Sequence, residues 1–107
     1  MGRYLGEFEQ MVLLALLQLG DDGYGVRIRD EIERRTGRDV SMGAVYTTLD
    51  RLEQKGLLAS HMGEPTAERG GRRKKFYRVR AAGQASLSES LEAMRRMADG
   101  LEQELRT

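Results

Sequence analysis

The chain has 107 residues, a formal net charge of +1 at pH 7 and no cysteine. This length suits one domain with a single core. The charge balance means that any polyanion must meet a local basic patch, and the lack of cysteine excludes disulfides and thiolate metal sites. The longest apolar run, residues 11–17, is much shorter than the roughly 20 residues that span a bilayer. It also fits a secretory leader poorly. We therefore expect a cytoplasmic protein.

The first third of the chain has the periodicity of two helices. Residues 5–19 carry apolar side chains at i, i+3 and i+4 spacing, and Leu13, Leu14 and Leu17 widen this stripe towards full burial. A turn rich in glycine and aspartate follows. Residues 24–36 then predict a second helix, which ends at the next glycine.

A third helix, residues 42–55, is predicted behind the N-cap Ser41. Val45, Leu49 and Leu52 turn inward, whereas the N-terminal part of the opposite face is small and nearly uncharged. Such a face allows close approach to a DNA groove, where hydroxyls and methyls contact base edges. The alternative is an ordinary solvated helix face. The residues of this helix that we expect to touch DNA are Ser41, Met42, Gly43, Ala44, Tyr46, Thr47, Thr48 and Arg51.

Two strands, predicted at residues 57–61 and 74–79, flank a basic loop. Residues 68–80 hold seven of the 18 basic residues beside two glycines. Cations that neutralise phosphates release counterions, so the segment 69–75 predicts a contact with the DNA backbone. The alternatives are a solvated charge run or a tract for another anion. The residues expected at the backbone are Arg69, Arg72, Arg73, Lys74 and Lys75.

Three aromatic positions belong to this hairpin. Phe76 is expected to pack the hairpin onto the helices, and Tyr77 either packs or faces DNA. The only histidine, His61, is interpreted as a hairpin residue, because no second metal ligand is spaced near it. No nucleophile elbow or Walker-type loop is present in the sequence. We therefore predict no enzyme, no metal and no cofactor.

A final helix is predicted from about residue 82 to about residue 105. Its apolar residues recur at intervals of 4, 3, 4, 3 and 4, which is a heptad seam. A helix of this length would project beyond the domain, so the seam is expected to pair with a second copy of the chain. The alternative is packing on its own domain, and Gly100 is expected to weaken the last turn. The predicted dimer interface comprises Phe8, Met11, Leu87, Leu91, Met94, Ala98, Leu101 and Leu105.

The order of these elements predicts a mainly α fold with a small two-stranded β-wing. It consists of a winged helix-turn-helix domain, residues 1–80, and a C-terminal dimerisation helix, residues 81–107. The predicted function is sequence-specific binding to double-stranded DNA, with helix 42–55 in the major groove. A two-fold dimer requires an inverted-repeat operator. The rival function is a winged helix that contacts only protein or RNA, since a fold does not fix a function.

Three blocks in this order resemble the PadR family of bacterial transcriptional regulators: residues 23–25, residues 41–58 and residues 70–83. The resemblance implies a homodimeric repressor, often of a neighbouring gene for efflux or stress response. Met42 stands where that family usually has proline, and Ala44 where threonine is common. Some relatives bind flat hydrophobic compounds between tryptophans, which this chain lacks. Its six methionines leave a small-molecule inducer open beside ordinary packing.

Overall fold

The computed structural model describes residues 4–64 and 73–106. These residues form five α-helices and two strands, and the predicted helical fold with a two-stranded wing is confirmed. A short 3-10 helix, Gly20–Asp22, links the first two helices. The elements in chain order are α1 (Glu7–Leu19), α2 (Gly25–Thr36), α3 (Met42–Gln54), β1 (Leu58–Met62), β2 (Lys75–Val79), α4 (Ala81–Ala98) and α5 (Glu102–Leu105).

Local chemistry explains where the helices begin and end. The Ser41 hydroxyl accepts a hydrogen bond from the Ala44 N–H at 3.0 Å, which is the predicted N-cap of α3. Gly37 ends α2 with φ 73°, and Gly56 adopts φ 78° just after α3. Glycine adopts this left-handed conformation without steric cost, so both helices end at these residues.

The core lies where α1, α2 and α3 meet the inner face of the wing. The inward face predicted for the third helix is confirmed, and each fully buried apolar side chain contributes about 1.5–3 kcal/mol. Tyr77 of β2 and Leu87 of α4 close the core from the wing side. The side chains with less than 2 % exposure are Val12, Leu13, Ile28, Val45, Leu49, Leu52 and Leu58.

The predicted burial of Leu14 and Leu17 is wrong, because these side chains are 38 % and 44 % exposed. Helix α1 packs on α2 and α3 through one face, and the two leucines lie beside that face rather than on it. Phe8 and Met11 behave in the opposite way: they are half-buried and pack against the core of their own chain. The apolar surface that α1 exposes is therefore one to two turns further along the helix than the predicted one.

The wing is an antiparallel pair whose register runs from Leu58 opposite Val79 to Met62 opposite Lys75. The second edge of β2 is also occupied. The Tyr77 N–H donates to the Gly23 carbonyl at 2.8 Å, and Tyr24 forms a β-bridge with Phe76. The residues just before α2 thus act as a short third strand, which attaches the wing to the helix-turn-helix.

The last helix is shorter than predicted, because α4 ends at Ala98 and a separate turn, α5, follows. Gly100 adopts φ 84°, a left-handed conformation that breaks the helix rather than only weakening its last turn. Leu87 is 3 % exposed and packs mainly in the core of its own chain, so it offers little surface to the predicted dimer interface. The seam is therefore not one continuous helical stripe.

The surroundings of Gly83 show how closely α4 approaches the wing. A Cβ at this position would lie 2.4 Å from the Leu57 carbonyl oxygen, which is backbone and cannot rotate away. We expect Gly83→Ala to reduce the free energy of unfolding by about 1–3 kcal/mol, as overpacking does. At Gly43 in α3, a Cβ would meet nothing within 4 Å among the described residues beyond its chain neighbours and its own helix backbone, so Gly43→Ala should stabilise by roughly 0.5–1 kcal/mol. Urea unfolding of both variants measures the contrast, and equal stabilities would contradict the close approach.

Candidate nucleic-acid interface

The N-terminal half of α3 turns a small, exposed surface to solvent. Gly43, Ala44 and Thr47 are exposed, Arg51 is exposed one turn later, and Met42 is half-buried. The Ser41 side chain accepts from the N–H of Ala44. The other N–H groups of the first turn have no partner within the helix and are available to an outside acceptor. A phosphate oxygen is such an acceptor, since a helix N-terminus favours negative charge.

Thr48 does not belong to this surface, and its predicted DNA contact is wrong. Its side chain is 5 % exposed. Thr48 follows Val45 by three residues and precedes Leu52 by four, so it lies on the buried stripe of α3. The predicted DNA-facing surface of α3 therefore includes one residue too many.

Tyr46 lies against the N-terminus of α2. A Cβ at Gly25 would be 2.5 Å from the Tyr46 phenol oxygen and 2.9 Å from a ring carbon, so only glycine leaves room for this ring. Tyr46 remains 45 % exposed. The contact holds one side of α3 against α2 and presents the phenol at the surface that the two helices share.

Aromatic contacts join the wing to the start of α2. The Tyr24 and Phe76 rings meet edge-on with centroids 5.4 Å apart, and the His61 and Phe76 rings stack with centroids 5.6 Å apart. Lys74 Nζ lies 5.0 Å from the centre of the Tyr24 ring, within cation–π range. The predicted packing role of Phe76 and the hairpin position of His61 are confirmed.

The opposite face of the wing is fastened to the end of α3. Lys75 Nζ lies 3.8 Å from a Glu53 carboxylate oxygen, and the Ser60 hydroxyl donates to the other oxygen at 2.5 Å. Tyr77 is buried beneath them. Burial, with the negative charges of Asp50 and Glu53, raises the pKa of Tyr77 to about 12. Tyr77 is therefore a packing residue, and the charge of Lys75 is shared with Glu53.

Arg73 and Lys74 are exposed at the start of the described part of the second hairpin arm. The Arg73 Nε–H donates to the Gly63 carbonyl at 2.8 Å, and the Gly63 N–H donates to the Lys74 carbonyl at 2.7 Å. These bonds extend the hairpin beyond its last strand pair. The predicted backbone contacts Arg69 and Arg72 lie outside the described residues.

The outer half of α4 and α5 expose large apolar side chains. Leu91, Met94, Leu101 and Leu105 of the predicted interface are exposed, and Ala98 is half-buried. Met97 is exposed as well, at 77 %, although the heptad spacing did not include it. Leu14 and Leu17 of α1 line a shallow groove together with Leu91. The sequence pattern does not assign these two leucines to an exposed surface, because a wide apolar stripe indicates burial.

Among residues 4–64 and 73–106, no group of three acidic or histidine side chains is placed to hold a metal ion. Within the same ranges, no helix is both long and apolar enough to cross a membrane.

The helix pair α2–α3 and the β1–β2 hairpin define a winged helix-turn-helix protein. The family model of the PadR-like transcriptional regulators matches residues 13–89. The chain belongs to this PadR-like family, and it is a DNA-binding transcriptional regulator. The family is one of regulators and not of enzymes.

Known proteins agree with this assignment. A transcriptional regulator of Mycobacterium tuberculosis is 37 % identical over 75 residues, which span 70 % of this chain and 65 % of that protein. The crystal structure of a PadR family regulator from Eggerthella lenta is 28 % identical with a TM-score of 0.67, covering 94 % of this chain and 88 % of that one. A regulator from Clostridium thermocellum, 22 % identical, has the same fold with a TM-score of 0.73 and 92 % coverage of both chains.

The contact between Tyr46 and Gly25 makes a testable prediction. Gly25→Ala should push the Tyr46 ring away from α2, because a side-chain tip can swing where backbone cannot. We expect altered ring resonances of Tyr46 in NMR spectra with a change in unfolding free energy within about 1 kcal/mol. Val26→Ala, at the next and exposed position, is the matched control and should leave those resonances unchanged. Unshifted Tyr46 signals in Gly25→Ala would contradict the assigned contact.

Proposed function

We propose that this DNA-binding regulator is a homodimeric repressor that reads an inverted-repeat operator. Helix α3 enters the major groove and the wing contacts the phosphate backbone. The observation that carries the proposal is the joint position of two surfaces, the small exposed face of α3 and the cations Arg73 and Lys74. Both are fastened to the residues that begin α2, through Tyr46 on one side and through the Tyr24–Phe76 contact on the other.

The exposed face of α3 supports base recognition. Gly43 and Ala44 have little bulk, so the helix backbone can approach the base edges closely. Thr47 supplies a hydroxyl and a methyl, and Arg51 supplies a guanidinium that can bond guanine. Tyr46 is better placed for phosphate, because its phenol lies at the start of α2.

Charge on the wing supports backbone contact. Arg73 and Lys74 are exposed, whereas the ammonium of Lys75 faces Glu53 and contributes less to an outside anion. Arg69 and Arg72 extend the same basic tract in the sequence. The contact is electrostatic and independent of base sequence, so it should weaken steeply with salt.

The exposed apolar residues of α4 support a dimer. Leu91 and Met94 lie in water in a single chain, together with Leu14 and Leu17 across the groove. A second copy would bury both surfaces, and its two-fold axis would present two copies of α3 to half-sites about one DNA turn apart. The exposure of Met94 also indicates that the exposed methionines pack at an interface rather than line an inducer cavity. Repression is what the family resemblance implies.

A contrast between two pairs of substitutions tests the binding mode. Arg73→Ala/Lys74→Ala should weaken binding to the operator and to a random duplex alike, and should reduce the salt slope by up to about 0.9 per lost phosphate contact. Thr47→Ala/Arg51→Ala should weaken operator binding by roughly 1–3 kcal/mol per lost base contact and spare the random duplex. Fluorescence anisotropy on a duplex from the upstream region of the gene measures both at two salt concentrations.

The control for lost charge is Arg96→Ala, near the end of α4 and roughly 22 Å along that helix from the wing; unlike Arg95, it does not line the groove of the proposed interface. It should leave both affinities almost unchanged. Binding that is weak and indifferent to sequence in the wild type would favour the rival function, a winged helix that contacts only protein or RNA.

The proposed dimer can be tested by charging its surface. Leu91→Glu/Met94→Glu places carboxylates where a partner would exclude water, so sedimentation should show a monomer with strongly reduced operator affinity. Val26→Glu is the matched control for sedimentation, which it should leave unchanged, because Val26 is an equally exposed apolar residue of another helix. A charged variant that still sediments as a dimer, or a wild type that is monomeric at micromolar concentration, would refute the interface.

A further inference from the structure

Glu9, in the first turn of α1, is a buried carboxylate that the proposed binding mode does not use. It is 8 % exposed. One of its oxygens accepts from the Gly6 N–H at 2.9 Å, and the other accepts from Lys55 Nζ at 2.9 Å. Lys55 is the residue that ends α3, and its own N–H bonds to the Arg51 carbonyl at 3.0 Å. The ion pair therefore joins the start of α1 to the end of the proposed recognition helix.

A second contact joins the same segment to α4. The hydroxyl of Ser90, which is 3 % exposed, accepts a hydrogen bond from the Leu5 N–H at 3.1 Å. The Leu5 carbonyl accepts from the Gln10 side chain at 2.9 Å, which fixes the next peptide unit, whose N–H is that of Gly6. Leu5 and Gly6 are adjacent, so a short series of bonds leads from Ser90 to Glu9 and on to Lys55.

The positive charges that stabilise the ionised Glu9 carboxylate belong to α3 and its C-cap. Burial raises the pKa of its carboxyl. The hydrogen bonds from Lys55 and Gly6 and the charges of Lys55 and Arg51 lower the pKa by more, so that it lies below the ordinary 4.5. Glu9 is thus ionised at neutral pH. The two cations that hold it in this state both belong to the C-terminal end of α3, and one of them is a proposed base contact.

We propose that Glu9 is a positioning residue for DNA recognition: acting through Lys55, it fixes the C-terminal end of α3, and Ser90 links that position to α4. This inference rests on the proposed function, in which α3 enters the major groove. Near the other end of α3, the Tyr46 ring lies against Gly25 of α2, so each end of the helix has a contact with a neighbouring helix. Hydrogen bonds to bases are lost within a few tenths of an ångström and a few tens of degrees, so a helix free at one end would read them poorly.

Glu9→Gln isolates this role, because glutamine keeps the shape and can still accept from Gly6 but leaves Lys55 without its ion pair. We expect operator affinity to fall roughly 3- to 30-fold, the range found for linked networks, with a change below about twofold on a random duplex. Lys55→Met tests the same contact from its more exposed partner and carries the test if Glu9→Gln does not fold. Glu7→Gln is the control: its exposed pair with Arg38 should matter little.

A double-mutant cycle then separates positioning from stability. The effects of Glu9→Gln and Lys55→Met on operator affinity should not add, and Ser90→Ala should likewise be non-additive with Glu9→Gln. Thermal unfolding and sedimentation of each variant establish that folded dimers are compared. A Glu9→Gln protein that melts earlier but binds operator like the wild type would overturn the proposal and leave the proposed function intact. Additive effects of Ser90→Ala would overturn the link to α4. A wild type with no preference for operator would instead refute the proposed function.

Discussion

The bond from the Tyr77 N–H to the Gly23 carbonyl, with the adjacent Tyr24–Phe76 bridge, is the constraint on which the arrangement of the molecule depends. A two-stranded hairpin alone is marginally stable in water. Here the second edge of β2 is paired with the chain that begins α2, so the wing and the helix-turn-helix cannot move independently. Gly23 makes this possible, because a Cβ there would lie 2.5 Å from Leu16 and 3.1 Å from the Tyr77 carbonyl.

The sequence predicts the elements and the family well because each depends on local chemistry. Ser41 caps α3, Gly37 ends α2, and the apolar positions of both helices recur at helical spacing. The errors arise where a neighbour decides the outcome. Thr48 is polar, yet it lies on the buried stripe, while Leu14 and Leu17 are apolar and lie outside it. Residue type alone does not reveal which side of a helix another element covers.

The glycines show a second limit of sequence reasoning. The resemblance to the family identifies the block 23–25 and Gly83, but not why glycine is needed there. In the structure, Gly25 makes room for the Tyr46 ring and Gly83 for the Leu57 carbonyl. Each reason is a contact between residues far apart in the chain, so no local pattern contains it. Gly100 is the exception, because its weak helix propensity already indicates a defect at the place where α4 ends.

The charge distribution explains how a nearly neutral chain can present a basic surface. Across the described residues, many cations away from the wing have carboxylate partners: Arg27 pairs with Asp22, Arg38 with Glu7, and Lys55 with Glu9. On the wing, by contrast, Arg73 bonds a carbonyl and Lys74 lies over an aromatic ring. Such neutral partners fix the direction of a side chain without cancelling its charge. Carboxylates thus neutralise cations in the body of the protein, whereas Arg73 and Lys74 keep their positive charge for an outside anion. A DNA-binding protein of low net charge requires such a distribution.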